Sequence, residues 1–130
     1  MATPDEIRAV LDQYVSRFNA GDGAGWAALF AEDATQEDPV GTPANVGREA
    51  IQGFYDTMSA MLGGGLRIVP KHDPIIIGNE ATFAASAYAG TGENRSHMPD
   101  IVDLITFADD GSIQSLRAYW TMDSMVPDPE

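Results

Sequence analysis

One aspartate, Asp103, stands where an alternating strand should carry a core residue. In the run "DIVDLITF" (100–107), a strand would point Ile101, Asp103, Ile105 and Phe107 to one face. Burying that carboxylate ionised and unpaired is prohibitively costly. It must either meet a cation, for which Arg117 in the next strand-like run is available, or hold a proton. Arg117 alternates with Leu116, Ala118 and Trp120, so its access depends on which face meets Asp103. Protonation lifts an aspartate from a pKa of about 3.9 past 7, which costs roughly 4 kcal/mol at about 1.36 kcal/mol per unit. In a dry site this is the least costly state, and it turns the acid into a hydrogen-bond donor. A neutral Asp beside a tyrosine would offer two donors to an oxygen that becomes negative.

Other polar groups share this position within apolar surroundings. Tyr14 lies on the apolar stripe of a first helix and Tyr55 on the packed side of a later one; each, by itself, reads as a core tyrosine with a wet hydroxyl. Asp38 sits in "EDPVG" and by itself reads as a turn residue before proline. His72 and His97 lack helical or hairpin ligand spacing and read as exposed or hydrogen-bonded strand residues rather than metal ligands. The chain has no cysteine to act as nucleophile or thiolate ligand, and no G-x-S-x-G or phosphate-binding loop; "GTGE" (90–93) is a turn.

The elements that must position these groups are legible as two halves. Thr3, Pro4 and Glu6 form a capping box with proline in the first turn, and Ile7, Val10, Leu11, Tyr14, Val15 and Phe18 follow at helical spacing until "AGDG" stops them. A short helix over about 23–31 carries Trp26, Leu29 and Phe30. Turn formers fill 33–47 and leave room for only a brief strand. A third helix runs from about 48 to 62, with Ile51, Phe54, Tyr55, Met58 and Leu62 on one side, and ends at Gly63–Gly65. Beyond it the period changes to β-branched or alternating runs, "LRIVPKHDPIIIG", "ATFAASAYAG", "NRSHMPDIVDLITF" and "SIQSLRAYWTM", the last two joined by a hairpin at "ADDGS". Helices first and a mostly antiparallel sheet second define an α+β domain with helices on one sheet face, spanning 1–130, with residues 123–130 expected to form a loose tail.

With 130 residues, 44% hydrophobic and 21% charged, the chain suits one ordinary core. Its net charge of −13 leaves no basic patch for a phosphate backbone, so no nucleic-acid partner is expected. No run approaches a membrane span, and "MATPDEIR" lacks a leader pattern, which makes a cytoplasmic protein that engages no membrane the default expectation.

Three stretches carry a family resemblance: "AEDATQEDPVGTPANVGREAIQGFY" (31–55), "IVDLITF" and "GSIQSLRAYW". They resemble the bacterial Δ5-3-ketosteroid isomerases of the cone-shaped, nuclear transport factor 2-like (NTF2-like) superfamily. The likeness runs from Tyr14 to Trp120, and the spacing of Tyr14, Asp38, Tyr55 and Asp103 is what sets the isomerase apart within that superfamily. The resemblance implies three helices packed on a curved, mostly antiparallel sheet and a homodimer formed through that sheet. It implies migration of a steroid double bond without metal or cofactor: Asp38 as base, Tyr14 and a protonated Asp103 as oxyanion donors, Tyr55 supporting the Tyr14 hydroxyl, and Phe54, Leu116, Trp120 and Phe30 around a small hydrophobic steroid. This family is itself the type case of a carboxylic acid held neutral as a donor. Phe30 replaces a third tyrosine of the donor network, and Ala85 and Ala87 would widen the pocket if they face inward. The scaffold also supports cyclases, dehydratases, epoxide hydrolases and non-catalytic steroid or lipid binders.

Overall fold

The first helix starts where the sequence supplies both halves of its cap. In the computed structural model, which describes residues 1–128, α1 (Pro4–Asn19) opens with the Glu6 amide donating to Thr3 Oγ1 at 3.1 Å and the Thr3 amide donating to Glu6 Oε1 at 2.9 Å. Its buried stripe is Ile7, Leu11 and Tyr14. At its other end Asn19 bridges the backbone of Ile68, accepting from its amide (2.7 Å) and donating to its carbonyl (2.9 Å), which docks the helix on the sheet.

The second helix, α2 (Gly23–Ala27), is shorter than the spacing of Trp26, Leu29 and Phe30 predicts. The Leu29 carbonyl leaves the helix to accept from the Ile113 amide at 2.9 Å, and Phe30 begins a strand. That strand, β1 (Phe30–Glu37), also corrects the reading of 33–47 as mostly turn. Its inward residues, Ala34 and Gln36, are small or polar, so the alternation that marks a strand is hidden in the sequence. A brief β2 (Asn45–Val46) and α3 (Arg48–Leu62) follow, and Gly63 ends α3 in the left-handed region at φ 81°.

The remaining strands are β3 (Arg67–Pro70), β4 (Ile75–Ile77), β5 (Glu80–Ala89), β6 (Ser96–Phe107), β7 (Ile113–Tyr119) and β8 (Val126–Pro127). They form one eight-stranded sheet in the order β2-β1-β7-β6-β5-β3, with β4 on β5 and β8 on β6. Among the described residues only the β1–β7 pairing is parallel. The sheet is curved and unclosed, with three helices: an NTF2-like fold.

Register decides which side chains face the helices. Asp103 lies between Phe83 of β5 and Ala118 of β7, and all three are buried on the inner face. Arg117 pairs in register with Leu104 on the outer face and ion-pairs with Glu37 at 2.7 Å. The cation that could have neutralised Asp103 is therefore on the wrong side of the sheet. The tail expected to be loose from Asp123 is tied down as far as Asp128: a 3-10 turn (Met122–Ser124) leads into β8, which pairs with Ser96 and His97 of β6. Met125 gives this segment an apolar anchor, since it joins the wall of the interior cavity described next. Residues 129 and 130 of that expected tail lie outside the described residues.

Candidate active site

Between the helices and the inner sheet face lies a cavity of about 860 Å3, counting its open mouth. Its walls are mostly apolar, with Phe54, Met58 and Leu62 from α3, Phe83, Ala85 and Ala87 from β5, and Trp120 just beyond β7. Alanines 85 and 87 do line it, on a strand where larger side chains would narrow the space. Among the ionisable groups that line it, Tyr14 comes from α1, Asp38 from the turn after β1, and Asp103 from the middle of β6.

Asp103 is 6% exposed, and no Lys, Arg or His side chain ion-pairs with it among the described residues. Burial raises its pKa well above the usual carboxylate value, and the nearby Asp38 charge raises it further. Both effects favour the neutral acid, the form that can donate. Tyr14, 4% exposed, is likewise pushed well above 10 by burial, then by the fields of Asp103 and Asp38. Both groups keep their protons, and both can donate.

Asp38 differs because its carboxylate meets donors. Trp120 Nε1 donates to Oδ1 at 2.5 Å, and Gln36 Nε2 donates to Oδ2 at 3.2 Å. Burial raises Asp38 to about 6, and the two hydrogen bonds oppose that rise. Above about pH 6 it is a desolvated carboxylate with a basicity suited to taking a proton and returning it. The Asp38–Pro39 peptide is cis, and the following Val40 amide donates to the Ala118 carbonyl at 2.8 Å, which ties this turn to β7.

The hydroxyl of Tyr55 does not support Tyr14: it donates to the Phe18 carbonyl at 2.8 Å. Its ring still lines the cavity, packed edge-on to Phe18 with centroids 5.1 Å apart. The group turned toward the Tyr14 hydroxyl is instead the indole of Trp26, whose N–H lowers the Tyr14 pKa against the larger effect of burial. Trp26 is 1% exposed, and its Nε1 has no hydrogen-bond partner of normal geometry. Its ring meets that of Tyr14 at 5.6 Å, edge to face. Neither Trp26 nor Gln36 stood out in the sequence: a Trp at helical spacing reads as core, and Gln36 hides among polar neighbours.

Two residues expected around the substrate lie elsewhere. Leu116 is 1% exposed beneath the cavity floor, in register with Ile105, and Phe30 is fully buried against Trp26 with ring centroids 5.0 Å apart. Both belong to the core, and neither is among the cavity walls. His97 lines the cavity and stacks on Tyr88, while His72 is exposed beside the Asp73 carbonyl at 2.9 Å. Among the described residues no cluster of three His, Asp or Glu could hold a metal ion. No helix among them is long and apolar enough to cross a membrane.

Three helices on a curved, unclosed sheet, enclosing a mostly apolar cavity that Tyr14, Asp38 and Asp103 line, define the broad class as NTF2-like. Comparison with known proteins sharpens the class to a family. Residues 11–116 match the SnoaL-like domain, and the chain belongs to that family. It is 34% identical over 125 residues to the Steroid Delta-isomerase of Nocardioides simplex, covering 95% of this chain and 97% of that one. It is 31% identical over 113 residues to Epoxide hydrolase LasB of Streptomyces lasalocidi, covering 83% of this chain and 39% of that protein. A solved structure described as the epoxide hydrolase/cyclase-like enzyme SalBIII, with a role in pyran ring formation in the polyether salinomycin, superposes with TM-score 0.83 at 26% identity, covering 98% of this chain and 99% of that one. These relatives are enzymes.

Proposed function

We propose that the protein is a steroid delta-isomerase converting Δ5-3-ketosteroids to Δ4-3-ketosteroids. The observation that carries the reading is the division of protonation states in one cavity: Asp38 basic at about 6, Tyr14 and Asp103 held neutral. The relative from Nocardioides simplex supports it.

The ketone oxygen would accept hydrogen bonds from Tyr14 and Asp103. Asp38 removes a proton from the carbon between carbonyl and alkene, and the electron pair moves onto the oxygen as a dienolate. The same carboxyl group then delivers that proton two carbons further on, restoring the carboxylate and leaving a conjugated enone. Donors aimed at the oxygen stabilise the dienolate more than the neutral ketone, and that difference lowers the barrier. The apolar walls suit a flat hydrophobic substrate and keep water from the carboxylate.

The test is the absorbance of the conjugated enone formed from 5-androstenedione. Wild type should turn over, with kcat/KM rising through about pH 6 as Asp38 ionises. Asp38→Asn should lose at least ~100-fold, the low end of what general acid–base groups contribute. No turnover in wild type, or an undiminished Asp38→Asn, overturns the reading.

The likeness to LasB and SalBIII favours a second reading, an epoxide hydrolase or cyclase. A neutral Asp103 across from a basic Asp38 is also an acid–base pair able to protonate a leaving oxygen while deprotonating a nucleophile. Turnover of a hydroxylated or epoxidised polyketide, with 5-androstenedione untouched, would select it. Equilenin bound tightly with no turnover of either substrate would leave a steroid- or lipid-binding module.

A further inference from the structure

Gln36 is a fully buried amide on an inner face of otherwise apolar residues, 0% exposed and in register with Leu116 of β7. Its two polar atoms are both used. Nε2 donates to Asp38 Oδ2 at 3.2 Å, and Oε1 accepts from Asn45 Nδ2 at 3.0 Å. Asn45 is its register partner on β2, so the short hairpin from β1 to β2 sets the geometry of both amides. Asn45 can donate only to the oxygen end of Gln36, which leaves the nitrogen end facing the carboxylate. An amide turned over would set its oxygen against the ionised Asp38 and lose both bonds.

We propose that Gln36 and Asn45 form an amide relay that positions Asp38, with Gln36 holding one carboxylate oxygen while Trp120 holds the other. Gln36 is a positioning residue: it acts through Asp38 and does not line the cavity. The relay has two consequences. It fixes the plane of the carboxylate, which must reach two different substrate carbons without turning away. It also favours the ionised form by a charge-assisted hydrogen bond, against the burial that favours the acid. The other titratable groups acting near Asp38 are Tyr14 from α1 and Asp103 from β6, both neutral; Glu37, next to it in sequence, turns to the outer face and pairs with Arg117. The proposal rests on Asp38 as the base for its catalytic meaning, but its effect on Asp38 is measurable without turnover.

The experiment is titration of the Asp38 carboxyl carbon by NMR in protein labelled at the aspartate side chains, assigned with Asp38→Asn, alongside the pH profile of enone formation. Gln36→Met keeps most of the side-chain volume and deletes the donor. Removing a bond to the ionised form raises the pKa, so Asp38 should titrate roughly one pH unit higher, as expected for one hydrogen bond to a charged group. The acid limb of kcat/KM should move up by the same amount and kcat should recover at pH 9. Asn45→Ala, which leaves Gln36 in place but free to turn, should shift both in the same direction by less. An Asp38 titration unmoved in both variants overturns the relay, as does activity lost equally at all pH values with that titration unmoved. A shifted titration in a wild-type background that never forms enone supports the relay and removes the isomerase reading instead.

Discussion

At the scale of single residues, the unusual feature is an acid kept neutral, and its protonation state has opposite consequences for stability and activity. A carboxyl whose folded pKa lies above its unfolded value holds more protons in the folded state, so the fold loses stability as pH rises above about 4, until the folded pKa is reached. Asp103 has that sign, by burial first and by the Asp38 charge second. Asp103→Asn removes the titration and keeps a donor. Thermal melts from pH 5 to 9 should show the variant gaining on wild type as pH rises, while isomerase activity is largely kept. Asp103→Leu should gain stability in the same way but lose ~100-fold or more in kcat, in the range for one oxyanion donor. A variant that instead loses stability relative to wild type as pH rises would mean an ionised, stabilised Asp103. Equal activity of the Asn and Leu variants would remove the donor role.

At the scale of elements, the site depends on α2 lying close against α3, and a glycine permits this. A Cβ on Gly23 would stand 2.8 Å from Tyr55 Cδ1 and 3.1 Å from Asp56 Oδ1. The Tyr55 ring cannot retreat easily, since its hydroxyl is bound to the Phe18 carbonyl and its edge is packed on Phe18. Gly23→Ala should therefore destabilise by ~1–3 kcal/mol, the usual cost of forcing an extra carbon into packed surroundings. Gly53→Ala, on an exposed turn of α3 with nothing within 4 Å of the new methyl, should stabilise by ~0.5–1 kcal/mol. Urea melts of the pair check this; equal effects would show that helix propensity, and not the contact, governs Gly23. Elements such as α1 and α3 were legible in the sequence because capping and apolar period agree along their length. The β1 strand was not, because its exposed residues are mostly acids and, after Phe30, its buried ones are alanine and glutamine. The same limit applies to the site. Alternation tells which face a residue takes but not its depth. Asp103 was legible as an oddity, whereas Tyr14 and Asp38 read by themselves as core and turn residues and were marked only by the family resemblance. That resemblance also placed Leu116 and Phe30 in the pocket wall, although they lie in the core. Gln36 and Trp26 carry no sequence oddity; their roles come from register and from what lies across the fold.

At the scale of the whole molecule, the outer sheet face has an apolar centre on a chain of net charge −13. Val102, Leu104 and Tyr119 are 41%, 38% and 43% exposed there, and β6–β7 register sets Val102 beside Tyr119 and Leu104 beside Arg117. Around them stand Thr82, Ala84, Thr106 and Ser115 on the same face; Arg117 is paired with Glu37 and Asp100 with Lys71, and Glu80 lies at the margin beside Thr106. We propose that a second copy of the chain covers this face as a homodimer. Two such acidic chains repel over most of their surfaces, so a partly apolar patch whose central charge is paired is where they can approach at least electrostatic cost. Light scattering coupled to size exclusion should then give about twice the chain mass of 13.9 kDa at micromolar concentrations. Added salt should tighten the dimer by screening the repulsion. Leu104→Arg sets a charge in the centre of the patch, on a side chain pointing away from the core, and should give a monomer with unchanged circular dichroism. A wild-type protein that stays monomeric at tens of micromolar in high salt, or a Leu104→Arg variant that still dimerises, would place any association on another face.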